Sequence, residues 1–152
     1  MNGPGLLLLI IRKVMKYNTV ILANTEFEHL KEIMSGAQFT QELTYRLAWE
    51  KFRRELKEAK LLDYEEMPAD VIRFYSMVQI ETPWNVKKSY QIVPPEKADL
   101  KNNRISVLAP MSLALFGYAE GDEFEWQFPV GIKKIKILEV VNFKPQIKVA
   151  AV

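Results

Sequence analysis

The sequence predicts an α+β fold, a helical hairpin followed by a small antiparallel sheet with one short helix. Three observations carry that reading. Residues 25–66 show helical periodicity, with Phe27, Leu30, Ile33 and Met34 on one face. Residues 71–145 alternate apolar and polar, most clearly where Phe124, Trp126 and Phe128 are interleaved with Glu125 and Gln127. Ser35-Gly36 interrupts the helical region with a turn signal.

Taken in chain order, the six apolar residues Leu6 to Ile11 precede Arg12 and Lys13. The run is far shorter than the roughly 20 apolar residues a membrane span needs. The charge follows it, whereas a secretory signal carries its charge first. Residues 1–14 therefore read as a leader, with Met15 as an ordinary start. The expectation is a cytoplasmic protein without membrane attachment. In the first helix, Thr25 and Glu28 form a capping box. The second helix is expected from Gln41 to Leu61, capped by Thr40, with a stripe of Leu43, Leu47, Phe52, Leu56 and Ala59. Glu50–Arg54, Arg54–Glu58 and Lys51–Glu55 are spaced i,i+4, as on exposed faces. A short Gly-containing connection makes the pair a hairpin over residues 15–68. Met67-Pro68 ends the helical region.

The sheet unit is expected over residues 69–145, followed by a tail over 146–152. Tyr90 and Ile92 alternate until Pro94-Pro95 stops that strand. Ile105–Leu108 is a short apolar strand. Pro110 opens a brief helix over Met111–Phe116, and Gly117 ends it. Glu120-Gly121-Asp122-Glu123 is a turn. Pro129-Val130-Gly131 reverses the Phe124 strand into a return strand over Lys133–Val141.

Composition narrows the chemistry. Apolar residues form 49% of the 152, charged residues 26%, and the net charge is +2, as in an ordinary globular unit rather than a disordered chain. With no cysteine, disulfides, thiolate metal sites and cysteine nucleophiles are excluded. The single histidine, His29, excludes a multi-histidine metal centre. No Gly-rich phosphate loop is present. Lys87-Lys88 and Lys133-Lys134-Lys136 are small basic clusters without an aromatic–basic platform, so sequence-specific nucleic-acid binding is not expected. No cofactor is expected.

The stretches Glu66-Met67-Pro68-Ala69-Asp70-Val71-Ile72, Tyr90-Gln91-Ile92-Val93-Pro94-Pro95-Glu96-Lys97-Ala98-Asp99 and Ile105-Ser106-Val107-Leu108-Ala109-Pro110 carry a resemblance. It continues through Ala114-Leu115-Phe116-Gly117, Glu120-Gly121-Asp122-Glu123 and Phe128-Pro129-Val130-Gly131. In order and spacing they resemble the GreA/GreB transcription elongation factors, most closely the short-hairpin branch of regulators of nucleoside diphosphate kinase. The resemblance implies an FKBP-like sheet domain, an N-terminal coiled coil, and bacterial RNA polymerase as partner at its secondary channel. It further implies that cleavage factors of the family hold Mg²⁺ with acidic residues at the hairpin tip, where oxygen anions suit a hard cation.

The tip of this chain, Ser35-Gly36-Ala37-Gln38-Phe39-Thr40-Gln41, has no carboxylate. Its first helix, near 10 residues, sets the paired length at roughly 15 Å. The expectation is a non-catalytic regulator that competes with or modulates cleavage factors. After Pro110-Met111 the chain has Ser112 and Leu113 where cleavage factors carry Gly and a basic residue. Ser112, Leu113, Gly121, Asp122 and Trp84 are the candidate partner contacts. Asp122 has a second reading, a turn aspartate capping its own backbone. Two alternatives stand beside the regulator. One is a peptidyl-prolyl isomerase with Tyr90, Phe124, Trp126 and Phe128 around a pocket. The other is a dimerisation module using the helical stripe, which leaves monomer or weak dimer open.

Overall fold

The computed structural model describes residues 15–37 and 42–143. The expected leader over 1–14, the tip residues Gln38, Phe39, Thr40 and Gln41, and the tail from 146 lie outside the described residues.

The chain enters through β1 (Ile21–Ala23), all three residues of which are buried. It passes directly into α1 (Asn24–Ser35), then α2 (Leu43–Lys57) and β2 (Lys60–Leu62). β1 and β2 pair in parallel, Ile21 opposite Lys60. This pairing corrects two expectations. The second helix stops at Lys57 rather than Leu61, because Lys60–Leu62 gain a ladder with β1. Thr25 is inside the first turn of α1 instead of capping it, since β1 carries the chain straight to Asn24 and Ala23 precedes the helix without a side-chain cap. α2 is capped by Glu42, whose carboxylate accepts from Tyr45 N at 3.0 Å.

The main sheet holds β3 (Met77–Glu81), β4 (Lys87–Val93), β5 (Arg104–Ser106), β6 (Glu123–Phe128) and β7 (Gly131–Val141), in the order β5-β4-β3-β7-β6. The β3–β4, β3–β7 and β6–β7 pairs are antiparallel, and the β3–β7 register shifts at a bulge between Gln79 and Ile80. β4–β5 is parallel, which corrects the all-antiparallel expectation. The short helix α3 (Pro110–Leu115) has Pro at its start. Gly117 follows it with φ +86, and a Cβ there would meet Val20 Cβ at 2.8 Å, so both conformation and space demand glycine.

One continuous core joins the helices to the sheet. Leu30 of α1 and Ala48, Trp49 and Phe52 of α2 share it with Val78, Ile80, Ile92, Leu113, Phe124, Ile135 and Ile137. α2 lies close against α3. Phe116 takes Phe52 and Phe74 edge-on, with centroids at 6.4 and 5.1 Å. Leu43 and Leu47, expected in the apolar stripe, are instead exposed at 47% and 40%.

Candidate functional site

The residues named from the sequence fall into three places. Ser112 and Leu113 sit on α3 beneath α2 and are fully buried. Ser112 Oγ has no hydrogen-bond partner among the described residues.

Gly121 and Asp122 form the turn into β6. Gly121 is exposed, has φ +93, and donates its N–H to Ile137 O at 2.8 Å. Asp122 is buried at 2% exposure. One carboxylate oxygen accepts from Ala119 N at 2.8 Å, and the other from Lys16 N at 2.6 Å. Burial pushes its pKa up against the pull of these two amides. Asp122 therefore ties the entering chain at Lys16 to the sheet. Asp70 completes this tie, bonded by Lys16 Nζ and, at 2.9 Å, by Tyr17 Oη. Burial works upward on Asp70, but those two donors outweigh it and hold its pKa below the ordinary value.

Trp84 lies in the turn between β3 and β4, 54% exposed, edge-on to Phe128 with centroids 4.8 Å apart. Val130 and Ile132 of the β6–β7 hairpin are exposed at 71% and 61%. Two hairpin tips thus gather apolar side chains at one end of the sheet. Pattern reading missed Val130 and Ile132, because each is a lone apolar residue at a turn. Beside them Leu47, Ala48, Lys51, Ala114, Trp126 and Ile132 line a cavity of about 110 Å³ between α2 and the sheet edge. Phe124 is closed off within the core, while Trp126 and Phe128 are half-buried. The expected aromatic quartet does not converge on a deep cleft, and drug-sized pockets run to roughly 300 Å³ or more.

Two polar links cross the seam. Lys51 Nζ donates to Tyr118 Oη at 2.7 Å and pairs with Glu55 at 2.7 Å, while Tyr118 Oη donates to Glu55. The Lys51–Glu55 pair, expected on an open face, is turned inward because the Tyr118 hydroxyl would otherwise be buried without a partner. Burial, and then the Glu55 charge, push the Tyr118 pKa well above its ordinary value. The second link is Arg73 Nε donating to Glu26 at 3.0 Å, with the guanidinium 4.4 Å from the Tyr64 ring centroid.

At the tip, Ser35 Oγ donates to Glu32 O at 2.8 Å, and the Gly36 and Ala37 amides close the last turn of α1. The residues from Ser35 to Gln41 offer neither carboxylate nor imidazole.

A family model described as transcription elongation factor, GreA/GreB, C-term, matches residues 67–142. GreA from Rhizobium leguminosarum bv. viciae is 39% identical over 83 residues, which is 54% of this chain and 52% of the relative. GreA from Thermoanaerobacter pseudethanolicus is 37% identical over 86 residues, 56% of this chain and 55% of the relative. The chain spans about half the length of the curated relatives it matches. A solved GreA/GreB elongation factor from Nitrosomonas europaea is similar over 82% of this chain and 98% of its own, at 28% identity and a TM-score of 0.65.

Proposed function

The chain belongs to the GreA/GreB family of transcription elongation factors, and from that premise we propose a regulator that binds bacterial RNA polymerase near its secondary channel without chemistry of its own. The observation that carries this reading is the stretch Ser35–Gln41, which has no carboxylate to hold a catalytic metal ion. A factor of this family without tip carboxylates can still occupy the polymerase. It then competes with or modulates factors that stimulate transcript cleavage. The short helices, 12 residues in α1 and 15 in α2, favour the short-hairpin branch of the family. On this reading the protein acts in the bacterial cytoplasm. No described helix is long and apolar enough to cross a membrane.

Of the candidate contacts, Trp84 and the backbone of Gly121 are exposed, while Ser112, Leu113 and Asp122 act from beneath the surface. Trp84 is the anchor this reading selects, because a large ring held edge-on by Phe128 loses little freedom on binding. The test is competition on bacterial core polymerase between this protein and a cleavage factor, read by cleavage of backtracked transcripts. Expected is loss of cleavage as this protein is added, with no cleavage stimulated by the protein alone. Absence of binding at micromolar concentration overturns the polymerase reading. Stimulated cleavage overturns the non-catalytic one.

A further inference from the structure

Between α1 and α2 runs an open groove of about 430 Å³. Phe27, Met34 and Leu56 form its apolar floor, and Lys31, Arg53 and Lys57 its rim. Lys31 holds its ammonium 4.9 Å from the Phe27 ring centroid and pairs with Glu28 at 3.2 Å. Arg53 and Lys57 have no ion-pair partner among the described residues. Among the described residues no acidic side chain lines the groove. Apolar side chains half-open to water between cations of one sign form an unfinished helix–helix contact.

We propose that this groove is a docking site for an acidic amphipathic helix of a partner protein. The apolar floor takes anchor side chains spaced i, i+3 or i+4, and i+7, and the cations on both walls take Asp or Glu flanking them. A second copy does not fit, because groove against groove sets cation against cation. The apolar run Leu6–Ile11 of this chain does not fit either, since Arg12 and Lys13 follow it with the sign of the rim. Single-stranded RNA shares the charge preference, but Lys31 already covers one face of Phe27, the one ring among the described residues of the groove that could stack a base. The site stands independently of the polymerase reading, because it rests on the groove's own chemistry.

The test is titration of the full chain with a synthetic helix carrying Leu at that spacing and Glu on both flanks, followed by the Met34 and Leu56 methyl resonances. Controls are the same peptide with Lys for Glu, the same with Ser for Leu, and a short single-stranded RNA. Expected is saturable binding that shifts both methyls, at least about tenfold tighter than any control. Arg53→Glu with Lys57→Glu should weaken it about tenfold or more, with the fold retained and the melting temperature lowered by only a few degrees, since both side chains are exposed and the charge reversal acts only at the C-terminal end of α2. Binding of the Lys peptide or the RNA with equal affinity overturns the proposal. So does indifference to the double substitution, or failure to saturate at millimolar peptide.

Discussion

Asp122 separates a structural from a contact role more cleanly than any other residue of the turn. Asp122→Asn keeps size and shape but replaces one accepting oxygen by an NH₂ group. Either Ala119 N or Lys16 N, at 2.8 and 2.6 Å from the two carboxylate oxygens, then faces a donor. Leaving a buried amide unpaired costs about 1–3 kcal/mol. The substitution recovers part of this, because a neutral amide escapes the desolvation that raises the Asp122 pKa. The net expectation at neutral pH is a loss of about 2 kcal/mol for Asp122→Asn and about 3 kcal/mol for Asp122→Ala, which orphans both amides. Urea unfolding with equal slopes measures both. The raised pKa also fixes the pH dependence. Between the ordinary value of 3.8 and the raised folded value, the native state binds more protons than the unfolded one. The parent therefore gains stability as pH falls through that window, and loses it as pH rises. Asp122→Asn lacks this contribution, so the gap between the two widens on acidification. Asp70 has the opposite shift and loses its contribution toward low pH, but it is present in both proteins. A variant within about 0.5 kcal/mol of the parent that nonetheless binds polymerase weakly refutes the structural assignment.

Arg73→Leu should cost about 2 kcal/mol by calorimetry or denaturant unfolding, because it leaves the partly buried Glu26 carboxylate without its partner. Adding Glu26→Gln should restore part of that loss, and strict additivity would argue against coupling. Gly117→Ala should cost about 3 kcal/mol, combining left-handed strain with the 2.8 Å approach to Val20, and a neutral outcome would mean the turn relaxes freely. Trp84→Ala should change stability by less than about 1 kcal/mol and lower polymerase affinity about tenfold, and parental affinity would remove Trp84 as the anchor.

Much of the fold is legible because its signals are local. The β6 alternation, the Pro110 start and Gly117 end of α3, and the Gly121 turn each follow from a few adjacent residues. What was not legible depends on distant partners. β1 is buried at all three residues, so it shows no alternation, and its mate Lys60–Leu62 continues a helical pattern. The parallel β4–β5 pair is set by the path of the chain between Val93 and Arg104 rather than by either strand's composition. The same holds for the site. Ser112 and Leu113 read as candidate partner contacts, yet both are buried on the helix that packs against α2, and no property of residues 110–116 announces a helix from residues 43–57. Asp122 was half-legible: its bond to Ala119 N belongs to the turn, while Lys16 N comes from 106 residues away.

The position of α2 also bears on how the protein could act at a polymerase. Fifteen helical residues extend roughly 22 Å, enough for a modest arm if the helix stood free. It does not stand free. Thr44, Leu47, Ala48 and Lys51 line the cavity against Trp126 and Ile132, Phe52 is sealed in the core, and Glu55 is bonded by Tyr118. Lifting α2 would return Phe52, Ala48 and Leu113 to water. At about 1.5–3 kcal/mol for each large apolar side chain, that alone approaches several kcal/mol, a sizeable part of the stability of a domain this size. It would also break the Lys51–Tyr118–Glu55 link. Two of the buried polar atoms without partners among the described residues, Glu55 Oε1 on α2 and Ser112 Oγ on α3, weigh the other way, since water reaches them on opening. Two such atoms return a few kcal/mol at most, and the apolar stabilisation lost is at least as large. The balance favours helices that stay on the sheet, so contact with a partner falls to surfaces already open: the Trp84 end of the sheet, the Gly121 turn and the groove between the helices.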